Sequence, residues 1–331
     1  MHILSIFTFS YSFRILFLIH VDFSVPGATF LKPTDFHSFI KCYDPSDIMF
    51  RFVTSGFDIL DQSRWIIINT IQELEQETLD DLVNEKQLHT ILPIGPLLPL
   101  PFINEMKRNK DKDATNHDAI ILRDEHEGCI SWLNQFKPNS VLYVSFGSLA
   151  SVSGQQIEEI ALGLEDSGYP FLWVTRPNMM YGQSPNFSID FLERVKDRAC
   201  FVDWAPQLDV LSHTSVGGFF THCGWNSTLE AITAGTPILG WPFFADQPMN
   251  CKCVEQGWKV GLSLHDDDNA PLNTLVSRNV IKTKVEELMT TKKIQDKVNE
   301  WSLLSIKASI KDGSSSNNFL SLVESLKSHP L

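Results

Sequence analysis

Side chains able to do chemistry concentrate in four short stretches, each beside an apolar run of strand length. "HCGWNSTLEA", His222 to Ala231, follows "VGGFF" at 216–220, so a buried strand runs through a turn into a helix. A plain strand-to-helix join needs only turn formers and a cap, yet this one also carries a histidine, a tryptophan and a glutamate. Ser227 and Glu230 have the S-x-x-E spacing of a capping box, in which each side chain satisfies a backbone N–H at a helix start. Capping leaves His222, Cys223, Gly224 and Trp225 unexplained. A glycine ahead of a helix N-terminus lets N–H groups and the positive dipole end face an anion, and a histidine there adds a donor or a charge. The pattern reads as a diphosphate seat.

The other stretches add complementary groups. In "GSLASVSG", Gly147 lets the backbone approach a ligand and Ser148 offers a hydroxyl near a helix start, although Gly-Ser is also an ordinary turn. "DWAPQ" supplies Trp204, a flat face on which a base can stack, and Gln207, an amide that both donates and accepts. "WPFFADQ" supplies Asp246 and Gln247, a polar pair suited to sugar hydroxyls. Each has a plainer alternative: the tryptophan as core, the acid and amides as loop surface. Together they offer stacking, phosphate and hydroxyl chemistry.

The elements around them explain why they converge. Five-residue apolar runs ("SVLYVSFG", "PFLWVT", "ACFVDW", "VGGFF", "TPILGW", "WKVGLSL") alternate with helical patterns, which indicates an α/β, doubly wound parallel sheet covered on both faces. In such sheets ligands bind outside the carboxyl ends of the strands, the places where the loops after 147, 203, 220 and 241 lie. Upstream, "RWIIINT" (64–70) reads as a strand, "QELEQETLDDLVNEKQ" as a helix with Leu74, Leu79 and Leu82 on one face, and "TILPIGPLLPL" as a short strand with a proline-rich exit. Residues 101–124 are polar and aperiodic, the composition of an interdomain linker. The donor-side domain then runs over 125–312, with one long helical region at about 277–310, and 313–331 form a turn-rich break and an amphipathic helix that packs back toward the N-terminal part.

Composition sets bounds on partners. The chain has 331 residues and a formal net charge of -13, which disfavours nucleic acid and anionic membrane. The densest basic run, "MKRNKDK" from Met106 to Lys112, is broken by its own aspartate and reads as a solvated linker. Six scattered cysteines are read as reduced thiols. Cys251 and Cys253 lack a second pair or a histidine at zinc spacing, so no metal is expected. Residues 1–24 are apolar, dominated by Ile, Leu and Phe; they lack a basic n-region and are interrupted by Ser5, Thr8, Ser10, Ser12 and Arg14. A packed or disordered segment is favoured there over a signal or anchor, with a cytoplasmic location. No G-x-G-x-x-G turn follows a strand, which argues against a nicotinamide dehydrogenase.

The run from Trp204 to Gln247, "WAPQLDVLSHTSVGGFFTHCGWNSTLEAITAGTPILGWPFFADQ", closely resembles the signature box of plant UDP-sugar-dependent glycosyltransferases and has its length. "PGATFLKPTDFHSFI", "IINTIQELE", "SVLYVSFGS" and "GSSSNNFLSLVESL" resemble other segments of that family, in its order. The resemblance implies a GT-B fold, two Rossmann-like domains facing a cleft, with UDP-glucose held by the C-terminal one and a small hydrophobic acceptor as second substrate. It implies that Trp204 stacks on uracil, the Ala205 backbone and Gln207 hold the nucleotide, and Glu230 binds the ribose. His222, Gly224, Asn226, Ser227 and Ser148 would contact the diphosphate. Trp225, Asp246 and Gln247 would meet the sugar, with glutamine at the end of the box associated with glucose. One carboxylate cannot readily serve as both ribose ligand and helix cap, so Glu230 has two competing roles.

The N-terminal part departs from the family. There, a histidine after the first strand acts as general base, oriented by an aspartate about a hundred residues on. Here the family-like segments begin at residue 25, and 25–100 correspond to a remnant from late in the acceptor domain. His20 follows "ILFLI" without the glycine-histidine context. The expectation is that the base and its aspartate are missing, leaving either an enzyme by family or a UDP-sugar binder that does not transfer.

Overall fold

The structure, a computed structural model, describes residues 28–32, 35, 46, 48, 51, 55, 63–86, 91–110, 124–177, 179–180, 185–265 and 274–328. The apolar leader at 1–24 and His20 lie outside these. Strand β1 (Ile66–Ile68) pairs in parallel with β2 (Ile91–Pro93), joined by a 3-10 turn at Gln72–Leu74 and helix α1 (Gln76–Lys86).

Helix α2 (Leu100–Lys110) comes next and corrects the linker expectation over its length. Phe102, Ile103 and Met106 are spaced as one helical face and are buried with Ile306. Apolar residues at that spacing outweigh the polar composition around them, and Met106–Lys110 of the basic run is helical as well. Helix α3 (Asp124–Leu133) then leads into the main sheet.

That sheet is built from β3 (Val141–Ser145), α4 (Gly154–Ser167), β4 (Phe171–Val174), α5 (Ile189–Val195), β5 (Ala199–Val202), α6 (Gln207–Ser212), β6 (Val216–Thr221), α7 (Trp225–Ala234), β7 (Ile238–Gly240), α8 (Gln247–Lys252) and β8 (Gly261–Ser263). All pairings are parallel, in the order β5-β4-β3-β6-β7-β8. Successive strand residues face opposite sides of a sheet. Val141, Tyr143, Phe219 and Ile238 therefore join one core, and Leu142, Val144, Phe220 and Leu239 the other. Both faces are covered, which is why the strands are unbroken apolar runs.

Two helices replace the single one expected near the C-terminus. Helix α9 (Arg278–Thr290) stops at Thr291, whose φ of -81° and ψ of 93° are extended, and α10 (Lys292–Ser309) starts directly after it. Ile281, Val285 and Leu288 of α9 pack on one core and Val298 of α10 on the other, so the two helices cover different faces of the sheet. Helix α11 (Ser314–Ser328) already includes the serines read as a turn, and Asn318 Nδ2 donates to Pro93 O at 2.8 Å. Among the described residues no helix is long and apolar enough to cross a membrane.

Candidate functional site

The chain leaves β3 toward β4 on one side and leaves β6 toward β7 on the other. Their carboxyl ends thus flank the crevice where the strand order reverses, the place such sheets use for ligands. Two loops meet there. Gly147 has φ +70°, and a Cβ on it would stand 2.6 Å from His222 Nε2; a Cβ on Gly224 would collide with the same nitrogen. The imidazole is thus sandwiched between two glycine backbones. Burial lowers its pKa to about 4, with Asp246 opposing the shift and Arg176 adding to it. Burial thus favours the neutral imidazole, which offers a hydrogen-bonding group beside the helix start. Its Nδ1 lies 3.2 Å from Thr221 Oγ1.

Gly224 is the N-cap of α7, which corrects the capping-box reading. Ser227 lies in the first turn and Glu230 further in, too far along to reach the cap N–H. Their side chains meet Gln207 instead: its Nε2 donates to Ser227 Oγ at 2.9 Å and to Glu230 Oε2 at 2.5 Å. Tyr143 Oη donates to Gln207 Oε1 at 3.3 Å. With both amide hydrogens used on one side, the oxygen must face Tyr143. Burial raises the Glu230 pKa, and the bond from Gln207 partly offsets this. The first backbone N–H groups of α7, which have no partner within the helix, belong to residues that follow His222 directly in the chain.

The remaining residues divide. Trp204 is 50% exposed at the end of β5, a surface on which a ring can stack, and Ala205 is buried beside it. Ser148 is exposed, and its loop is braced by Arg176, whose Nη1 donates to Ser148 O at 2.5 Å and Nη2 to Ala150 O at 2.8 Å. Asn226 is exposed on the first turn of α7. Asp246 caps α8 positionally and accepts from Asn250 Nδ2 at 3.1 Å.

Two expected sugar contacts are engaged elsewhere. The Trp225 indole is buried and donates to Asn69 O at 2.6 Å, joining α7 to the N-terminal part. Gln247 is buried, and its Oε1 accepts the N–H groups of Phe243 (2.9 Å) and Phe244 (3.2 Å), so it shapes the loop ahead of it. Both are held because the box also has to fold.

Sequence reasoning missed Tyr143, Arg176, Asn250 and Asn69. Arg176 was within reach: the strand-end rule, applied to the strand ending at Val174, finds it. Tyr143 reads only as a strand residue, and nothing local marks its hydroxyl. Among the described residues no group of three or more His, Cys, Asp or Glu side chains is arranged to hold a metal.

Comparison with known proteins identifies the family and the fold. UDP-glycosyltransferase 85A2 of Arabidopsis thaliana is 36% identical over 303 residues, 90% of this chain and 60% of its own length. The 7-deoxyloganetin glucosyltransferase of Gardenia jasminoides is 39% identical over 303 residues, with the same shares. The chain therefore spans about 60% of the length of these relatives. Among solved structures, Phytolacca americana UGT2, complexed with UDP-2fluoro-glucose and pterostilbene, superposes with a TM-score of 0.82 at 30% identity, covering 99% of this chain and 70% of that one. Os79 of O. sativa in complex with UDP gives a TM-score of 0.75 at 27% identity, covering 91% and 64%. The α/β fold is of the GT-B type. With the family model for UDP-glucoronosyl and UDP-glucosyl transferases matching residues 101–300, the chain belongs to that transferase family.

Proposed function

We propose that the main sheet holds UDP-glucose, with uracil on Trp204 and the Ala205 backbone, ribose on Glu230, and diphosphate on His222, Gly224, Asn226, Ser227 and Ser148. Of the sugar contacts, Asp246 keeps a carboxylate at the loop that Gln247 shapes. The observation that carries this reading is a histidine clamped by two glycines at the start of a helix whose Ser227 and Glu230 are bound to Gln207. In the transfer reaction a hexose, glucose, passes with inversion to a hydroxyl of a small hydrophobic acceptor. UDP then leaves toward the donors of α7, which stabilise the charge developing on its phosphate oxygen. The acceptor oxygen must lose a proton as it attacks. No metal is assigned to the reaction, and the location is cytoplasmic.

A second reading, a UDP-sugar binder that does not transfer, shares the same donor contacts, because every site residue named above lies on the donor side. Calorimetry with UDP and UDP-glucose, together with a product assay on phenolic or terpenoid acceptors, separates them. Binding with glucoside formation supports the first, binding alone the second, and absence of binding sinks both.

A further inference from the structure

The segment "IINTIQELE" carries a residue that the donor site does not itself account for. Asn69 immediately follows β1 and touches the first turn of α7 in two ways. Its carbonyl accepts the Trp225 indole N–H at 2.6 Å, and its Nδ2 donates to Asn226 Oδ1 at 3.2 Å. Its own orientation is fixed from behind, because Asn69 Oδ1 accepts the backbone N–H of Leu97 at 2.9 Å. A backbone N–H can only donate, so the Asn69 oxygen must face Leu97 and its NH2 must face Asn226. Gly95 makes room for this: a Cβ there would stand 2.5 Å from Asn69 Oδ1.

The consequence lies one residue further on. With its oxygen engaged by Asn69, the Asn226 amide keeps its NH2 to donate, and the residue is exposed in the first turn of α7. We propose that Asn69 is a positioning residue for the diphosphate. The chain Leu97 N–H to Asn69 to Asn226 forms an amide relay that presents a donor, not an acceptor, to the anion. Without it the Asn226 amide can turn over and set its oxygen against phosphate. The inference rests on the donor assignment above and extends it to a residue outside the signature box, from the other part of the molecule.

The test uses the full chain and two ligands, UDP and uridine, which share the base and ribose but differ in the anion. Asn69→Ala is expected to weaken UDP binding by about tenfold, the scale of one hydrogen bond to a charged group, with uridine affinity unchanged. Asn226→Ala should do the same, and the double variant should be no weaker than Asn226→Ala alone, because the two residues act in series. Asn69→Asp keeps the acceptor for Leu97 but cannot donate to Asn226; it too should lose UDP and keep uridine. In all of these the Asn69 carbonyl remains for Trp225. Additive losses in the double variant overturn the relay, as do unchanged UDP affinities for Asn69→Ala and Asn69→Asp. Equal loss of uridine and UDP overturns it as well, reducing Asn69 to a structural clasp. If Asn226→Ala leaves UDP binding intact, or the unmodified chain binds no UDP, the donor assignment itself fails and the relay fails with it.

Discussion

At the scale of single residues, the two titratable groups flanking the α7 N-terminus respond to pH in opposite ways. Burial lowers the His222 pKa from 6.5 to about 4, so between these values the unfolded chain binds more protons than the folded one. Its contribution to stability is complete above pH 6.5 and is lost as pH falls toward about 4. A His222→Gln variant should show a flatter stability profile across that window in denaturant titrations. Glu230 shifts upward through burial, so it takes up a proton on acidification before an exposed glutamate does. Uridine, which carries no charge in the acid range, should bind less tightly on acidification, and from a higher pH than an exposed glutamate would dictate. Glu230→Gln should bind it about tenfold more weakly at pH 7, from loss of a charged acceptor, and without that pH dependence. Unchanged affinity would sink the ribose role. Glutamine can still accept from Gln207, so the melting temperature should hardly move.

Among the elements, the helix Leu100–Lys110 is the case where composition and packing disagree. Counted as residues, 101–124 is polar; arranged on a helix, Phe102, Ile103 and Met106 make a narrow apolar face that Ile306 covers. Phe102 is 1% exposed, so Phe102→Ala should cost about 3 kcal/mol or more in chemical denaturation, whereas a solvated linker would tolerate it. The β3 and β6 loops make the converse point, since their glycines serve contact more than flexibility. Gly147→Ala adds a side chain at positive φ and against His222, and should lower the melting temperature and weaken UDP binding together. A variant that lost only one of these would separate the strain from the site.

For the molecule as a whole, the N-terminal part and the main sheet share one buried apolar cluster, in which Ile68, Ile71 and Leu74 lie with Trp225 and Trp258, and directed bonds add to it. Trp225 Nε1 donates to Asn69 O, Trp258 Nε1 to Leu74 O at 3.2 Å, and Asn318 Nδ2 to Pro93 O. Trp258→Phe keeps the apolar bulk and removes one bond, an expected loss of about 1 kcal/mol. It should speed amide exchange in β1 and β2 more than in the six-stranded sheet. Uniform change across both would mean that the two parts unfold as one unit.

The sequence by itself determined the alternation of strands and helices, the doubly covered sheet and the box from Trp204 to Gln247, because local periodicity and fixed spacing carry that information. It also placed Trp204, Gln207, His222 and Glu230 in the stretches that follow β5 and β6. Only the tertiary structure decided between cap and cluster for Glu230, since the N-cap is set by where the chain turns at Gly224, three residues before Ser227. It also engaged Trp225 and Gln247 in folding contacts and set Tyr143 and Asn69 behind the site. The Tyr143, Asn69 and Trp225 bonds join residues 64, 157 and 156 positions apart, and a hydrogen bond made over such a span leaves no local pattern in the chain; Gln247 bonds locally, but its burial is set by the packing around it.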